Sequence, residues 1–349
     1  MKYKLFILVL IFYNLNCHSQ TKSFIKNFKK IKIDTLLTDK ISIRAIVIDN
    51  DKVYYGADKN RFGSVNWKTK NKSEIKIKND SLNLEFRSIA QTDNYVFVLS
   101  ISNPAYLYKI SKFTNNNQIV YQELNSKVFY DAMKFYDNKN GIAVGDATNN
   151  CLSVITTHDG GSTWQKSICN NAPKNLDGEA LFAASNTNIV IKKNKTWIVT
   201  GGKSANVFVS KNKGESWIKY ETPIVQGEAM SGIFSADFFD CKNGIIVGGN
   251  YNKPSQNYGN KAITCDGGKT WKLIAENQYF GYASCIQYFP NSKGKKLVCV
   301  GASGIYVSNN FAKNWIKLSD YNSLYTIKFI DKNTAIAAGK NIMLKMIFE

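Results

Sequence analysis

Three carboxylates, Asp131, Glu179 and Glu228, are the residues of this chain best placed for acid–base chemistry. Two carboxyl groups at a suitable separation can hydrolyse a glycosidic bond, one as acid and the other as base or nucleophile. Arg44, Arg87, Tyr282 and Tyr325 occupy corresponding places, each beside the start of a short apolar run. With Asp146, and with Tyr251 from the long insertion GGNYNKPSQNYGN, they make a polar set suited to an anionic ligand, a sugar or the polar tail of a partner protein. The same residues also admit a closed arrangement, in which Arg44 and Arg87 pair with Asp131 and Glu179 around ordered water.

Other chemistries lack the residues they need. The histidines are His18, near the start, and His158, in a turn-like stretch, so acid–base or metal chemistry through imidazole has little to work with. The sequence holds no C-x-x-C pair, no nucleotide-binding glycine motif and no haem-attachment motif. We expect no cofactor and no metal. The formal charge is +20, carried almost entirely by lysines spread along the chain. An exported protein meets little nucleic acid, so a basic surface is expected rather than a nucleic-acid site.

Aspartates of a second kind recur in TTHDGGSTW, ending at Trp164, and ITCDGGKTW, ending at Trp271. VSKNKGESW, ending at Trp217, puts Asn212 and Ser216 at the Asp and Thr positions, and VSNNFAKNW keeps Ser308, Asn310 and Trp315. The full pattern is Thr157, Asp159, Gly161, Thr163 and Trp164 in one copy, and Thr264, Asp266, Gly268, Thr270 and Trp271 in another; Ser210, Asn212, Gly214 and Trp217 make a third. Glycine tolerates positive φ, and Asp or Asn accepts bonds from turn N–H groups, with a hydroxyl adding a further local bond. A catalytic acid would be lost at Asn212 and Asn310, whereas a turn would not. These residues are read as structural.

The elements that position both sets form a repeat. MKFYDNKNGIAVGD (133–146) matches ADFFDCKNGIIVGG (236–249), and stretches 44–58, 87–102, 180–202, 285–304 and 326–339 follow the same scheme. Each is a strand, a turn and a second strand ending near glycine, followed by a third strand, the Asp-type turn and a fourth. Seven units of roughly 47 residues predict an all-β, seven-bladed β-propeller of four-stranded blades. The last unit stops after NIMLKMIFE, so KKIKIDTLL (29–37) is expected to supply its outer strand and close the ring. In such a ring the polar set at the strand starts shares one face with the loops joining second to third strands. The Asp turns lie on the other, and Arg61 is expected there too.

The turns resemble the Asp-box, or BNR, repeats of sialidase-like propellers. Strand pattern and DGGxTW together are most similar to the photosystem II stability/assembly-factor-like propellers, whose bacterial relatives often carry the labels oxidoreductase or glycosyl hydrolase. The resemblance spans the mature chain. It implies a seven-bladed propeller and, in the photosynthetic members, binding of another protein during assembly; it transfers no catalytic set. Sialidases place three arginines around the substrate carboxylate from scattered blades. Here Arg44, Arg61 and Arg87 are the whole complement, all before residue 88.

Residues 1–19 read as a signal peptide, with Lys2 and Lys4 before the apolar run Leu5–Tyr13. Cleavage before Gln20 competes with lipid attachment at Cys17, whose NLNC context is a poor lipobox. The expectation is a single propeller over 20–349, exported to the periplasm, the outer-membrane surface or the medium. No later segment is long and apolar enough to span a bilayer. Cys151 with Cys169, and Cys285 with Cys299, are spaced symmetrically about turns and suit two local disulfides, with burial as small apolar side chains the equal alternative. Non-enzymatic binding or assembly, by a monomer with an envelope protein as partner, is the leading functional expectation. A glycoside hydrolase or glycan-binding propeller is the alternative.

Overall fold

The computed structural model describes residues 27–78 and 82–349. The expected export segment 1–19, with Cys17, and His18 lie outside them.

Seven β-sheets stand around one axis, and in all but the closing one the earliest strand is innermost. Blade 1 runs Ala45–Asp49, Lys52–Gly56, Arg61–Asn66, Lys72–Lys76, and four other sheets have the same four-stranded antiparallel order. The sheet of blade 5 gains two short strands, Glu179–Ala180 and Gly201–Gly202, at its inner edge.

Closure follows the expected route. Ile31–Ser42 pairs antiparallel with the end of the chain, Ile31 opposite Phe348 and Thr35 opposite Leu344. The strand Thr334–Phe348 doubles back at Lys340–Asn341, where Asn341 has φ 64°, and the Phe348 N–H returns to the Asn333 carbonyl. Blade 7 thus has three C-terminal passes and an outer strand from the other end of the chain, which removes the open sheet edges.

The core is divided rather than central. Seven buried apolar clusters sit one between each pair of neighbouring blades; Trp197, Val207 and Val209 of blade 4, for instance, meet Phe238 and Ile246 of blade 5. Both faces of the inner strands are therefore largely buried, while the outermost strands stay exposed, which explains the apolar runs without clean alternation.

The Asp turns share one bond set. Asp159 Oδ1 accepts the N–H groups of Ser162 and Thr163 at 2.9 and 3.0 Å, and Oδ2 accepts the Thr163 hydroxyl at 2.7 Å. The Gly161 N–H reaches the Thr157 hydroxyl at 2.9 Å. In blade 5 the corresponding bonds converge on Asp266 and Thr264, and in blade 4 Asn212 Oδ1 accepts the Ser216 N–H at 3.1 Å. Burial opposes ionisation at Asp159 and Asp266, but these bonds outweigh it and hold both carboxyls at about 2. In blade 6 Asn310 accepts the Asn314 N–H, and Ala312 takes the glycine position with φ 64°. The indoles of Trp217, Trp271 and Trp315 each donate back to the carbonyl three residues earlier, at 3.1 Å.

Cys151 and Cys169 are joined by a disulfide with Cα atoms 5.5 Å apart. Cys285 and Cys299 are not, and both are buried thiols. The first rung of their hairpin pairs Ala283 with Gly301, but a bulge at Ser284 shifts the register so that Cys285 faces Val300 and Cys299 faces Ile286. A one-residue shift turns a side chain to the opposite sheet face. Cys285 accordingly packs in the blade 6–7 layer and Cys299 in the blade 5–6 layer.

Candidate functional site

The polar set is positioned by a repeated irregularity. Between the first and second strands, the register slips after Phe86, Tyr130, Ile233, Ala283 and Leu324. The extra residues are Arg87, Asp131, Phe234, Ser284 and Tyr325, one per blade. A bulge leaves one residue out of the ladder and re-aims its side chain, here beside the channel mouth. In four of these blades glycine makes it possible. A Cβ on Gly145, Gly248, Gly301 or Gly339 would stand 1.8 to 2.5 Å from the carbonyl oxygen of the first strand. Arg44 precedes the first strand of blade 1 and joins the same ring.

Blade 4 departs from the pattern and decides the depth of the site. Its inner strand is only Ile189–Lys192, and the stretch before it, Phe182–Asn188, is entirely buried. That stretch plugs the channel. Asn186 accepts the Met133 N–H of blade 3 at 2.9 Å and donates to the Ile89 carbonyl of blade 2 at 2.7 Å. The Ser185 hydroxyl donates to the Ser284 carbonyl of blade 6, Thr187 donates to Ser235 of blade 5, and Thr326 of blade 7 donates to the Ser185 carbonyl.

Above the plug lies a cleft of 430 Å³ lined by Arg44, Arg87, Asp146, Tyr251, Tyr282 and the Ala180–Ala184 backbone, among others. One wall is aromatic. Phe182 and Phe234 stack at 3.9 Å, Tyr282 meets Phe234 edge-on at 4.8 Å, and Tyr251 meets Tyr282 edge-on at 5.2 Å. Tyr251 and Tyr282 also wall a second cleft of 440 Å³ reaching Tyr325 and Lys340. The two clefts meet at Tyr251 and Tyr282 and are read together as one groove over the channel mouth. A larger hollow of 770 Å³ opens on the other face, but its charges pair across it, Lys112 with Asp49 at 2.8 Å.

The arginines are not locked to the acids expected for them. Arg44 lies over the Tyr325 ring at 4.0 Å, and its Nε has no hydrogen-bond partner. Burial and the charge of Arg87 both push its proton affinity down. Arg87 forms a two-point pair with Glu85, at 2.8 and 3.0 Å. Arg61 corrects a further expectation. It begins a third strand, on the same side as the second-to-third strand loops, but is buried in the outer half of blade 1, paired with Glu74 and Asp39.

The three acids separate. Asp131 is fully buried with neither oxygen bonded; burial, then the charge of Asp146, push its carboxyl well up, with Arg87 opposing. Glu179 is not at an inner-strand start. It holds the loop before the plug, accepting Thr200 Oγ1 at 2.5 Å, Asn206 Nδ2 at 2.9 Å and the Leu176 N–H at 2.8 Å. Glu228 is exposed and tied to Lys253 at 2.6 Å and Asn250 at 2.8 Å. In these two blades the plug and the short strands at 179–180 and 201–202 displace the repeat by several residues, and Glu228 lies before its strand as the alignment predicts. Phe182 and Phe234, which the sequence reading omitted, take their places. The signal available was the glycine ending each second strand, which fixes the bulge opposite it.

Asp146 is the carboxylate among the residues lining the first cleft. Burial raises it to about 6, against the Leu181 N–H that it accepts at 2.7 Å. The folded state therefore holds this proton more tightly than the unfolded chain, whose carboxyl titrates near 3.9. The sign follows. Stability falls as pH rises from about 4 to about 6, then levels off. Asp146→Asn should flatten that interval, read as the wild-type-minus-variant difference in unfolding free energy at pH 4, 5, 6 and 7.

The geometry defines a seven-bladed propeller with a plugged channel and an aromatic, arginine-bearing groove on one face. No protein-family profile and no curated protein matches the chain. Solved structures do. "YCF48 bound to D1 peptide" superposes with a TM-score of 0.68 at 12% identity, covering 93% of this chain and 99% of that one. YCF48 from Cyanidioschyzon merolae gives 0.62 at 11%, covering 91% and 98%. The WD40 repeats of RRP9 give 0.64 at 12%, covering 91% and 97%. At such identities the likeness is one of fold.

Proposed function

We propose that this chain is an exported, non-enzymatic propeller that binds an extended polypeptide segment of a partner protein across the groove. One observation carries the reading: two clefts share the Tyr251–Tyr282 wall, and a guanidinium with an unpartnered Nε stands on a ring between them. Extended peptides need a long track with apolar pockets and a charged anchor, and Arg44 suits a carboxylate. A solved propeller of the same architecture is described as bound to a peptide, which supports the reading by analogy. The two-carboxylate hydrolase alternative has less to stand on, since Glu179 and Glu228 are both tied to other partners. We also read the four turns as Asp-box repeats serving the scaffold, on their shared bond set.

The test is selection of peptides from a random display library, followed by anisotropy on the enriched sequences. Peptides carrying an acidic residue should bind, and Arg44→Ala should weaken them at least tenfold, about 1.4 kcal/mol. Equal affinity for wild type and variant would remove the groove from the proposal. Export rests on residues 1–19. Mass spectrometry of protein from its own cells should find a chain starting at Gln20 or at a lipid-modified Cys17; a chain retaining Met1 to Ser19 would overturn it.

A further inference from the structure

Below the plug, the channel ends in a group of charges that the peptide groove does not use. Lys134 of blade 3, Lys192 of blade 4, Asp237 of blade 5 and Lys328 of blade 7 all lie on innermost strands, next to the turns that lead to the second strands. Each is only partly exposed. Their charges act on one another directly. Lys134 feels Lys328, then Asp237, the Cys285 thiol and Lys192; Asp237 feels Lys192 and Lys134. Burial, then the charge of Asp237, push the Tyr288 hydroxyl up.

The group is unbalanced. Three lysines, with Lys134 and Lys328 hydrogen-bonded to each other, face one carboxylate, and that carboxylate already accepts the N–H groups of Phe238 and Tyr288, each at 2.8 Å. Among the described residues none of the three lysines makes an ion pair. The neighbouring blades add neutral donors and acceptors of the same kind. Gln287 lies on the inner strand of blade 6, and Gln91, on that of blade 2, has a buried Oε1 without a partner. Lysines converging in a low-dielectric enclosure, short of counter-charge, form a field that a small anion relieves.

We propose that this lower mouth of the channel binds a small oxyanion carrying two negative charges, held by Lys134, Lys192 and Lys328 with Asp237 as the repelling wall. The site lies on the opposite side of the plug from the peptide groove. Burial, then the charge of Lys328, bring Lys134 down to about 7. An anion placed among the lysines restores its proton, so binding takes up protons near neutrality and weakens as pH rises.

Sulfate is the probe, because it stays divalent across this range. Isothermal titration at fixed ionic strength should show one saturable site, about tenfold weaker at pH 8 than at pH 6. Lys134→Met and Lys328→Met should each weaken it by at least tenfold. Asp237→Asn keeps an oxygen for one of the two N–H groups and removes the negative charge, so it should tighten binding, a gain that damage to the fold would not produce. Lys219→Met, on an exposed outer strand, should leave it unchanged. Absence of saturable binding, or equal losses in Lys219→Met and the channel variants, would overturn the site. A normal peptide titration with no sulfate binding would sink this inference alone and leave the groove standing.

Discussion

Trp197→Ala should lower the unfolding free energy by about 4 kcal/mol, near the upper end for a buried aromatic cut to a methyl group. Trp197 is fully buried on the second strand of blade 4. Its ring stacks on Phe238 of blade 5 at 3.8 Å, and its N–H donates to the Gly267 carbonyl, inside the Asp turn of blade 5, at 2.9 Å. The variant opens a cavity in the blade 4–5 layer and cuts a tie to the neighbouring blade's turn. Trp197→Phe keeps most of the stacking and loses the bond, so about 1 kcal/mol is expected. Urea titration of the three proteins checks both values. A cost below 1 kcal/mol for the alanine variant would mean that adjacent blades are not coupled through these layers.

Gly248→Ala should cost about 3 kcal/mol and also weaken the groove. A Cβ at Gly248 would stand 1.9 Å from the Gly232 carbonyl oxygen and 2.9 Å from the Phe234 N–H nitrogen. Neither backbone group can withdraw without opening the rung between Ile233 and Gly248. The bulge that turns Phe234 toward the mouth would be lost, and with it the stack on Phe182. Stability and peptide affinity should therefore fall together. A variant of wild-type stability that still binds would show that the bulge is not set by this glycine.

The number of blades, the closing strand and the bond pattern of the Asp turns were legible in the sequence because all three depend on local, repeating chemistry. Asn212 and Asn310 could replace aspartate only in a turn, and the alternation at Ile31 and Ile33 needed an edge to pair with. Arg44, Arg87, Asp146, Tyr251 and Tyr282 line one cleft, since the strand starts of a propeller face one end of the ring. The errors came from contacts between distant residues. Cys285 and Cys299 look symmetrical along the chain, but one bulge at Ser284 sends them to opposite sheet faces.

The repeat by itself determined the wheel, because each unit has an apolar strand pattern that can be buried only between two others like it. What fills the hub, and which charges remain unpaired there, was decided only by the tertiary structure. The segment Phe182–Asn188 has no special composition, yet it bonds to the inner strands of blades 2, 3, 5, 6 and 7. Those bonds join residues 48 to 141 positions apart, and no local spacing encodes a partner that closure of the ring alone brings within reach.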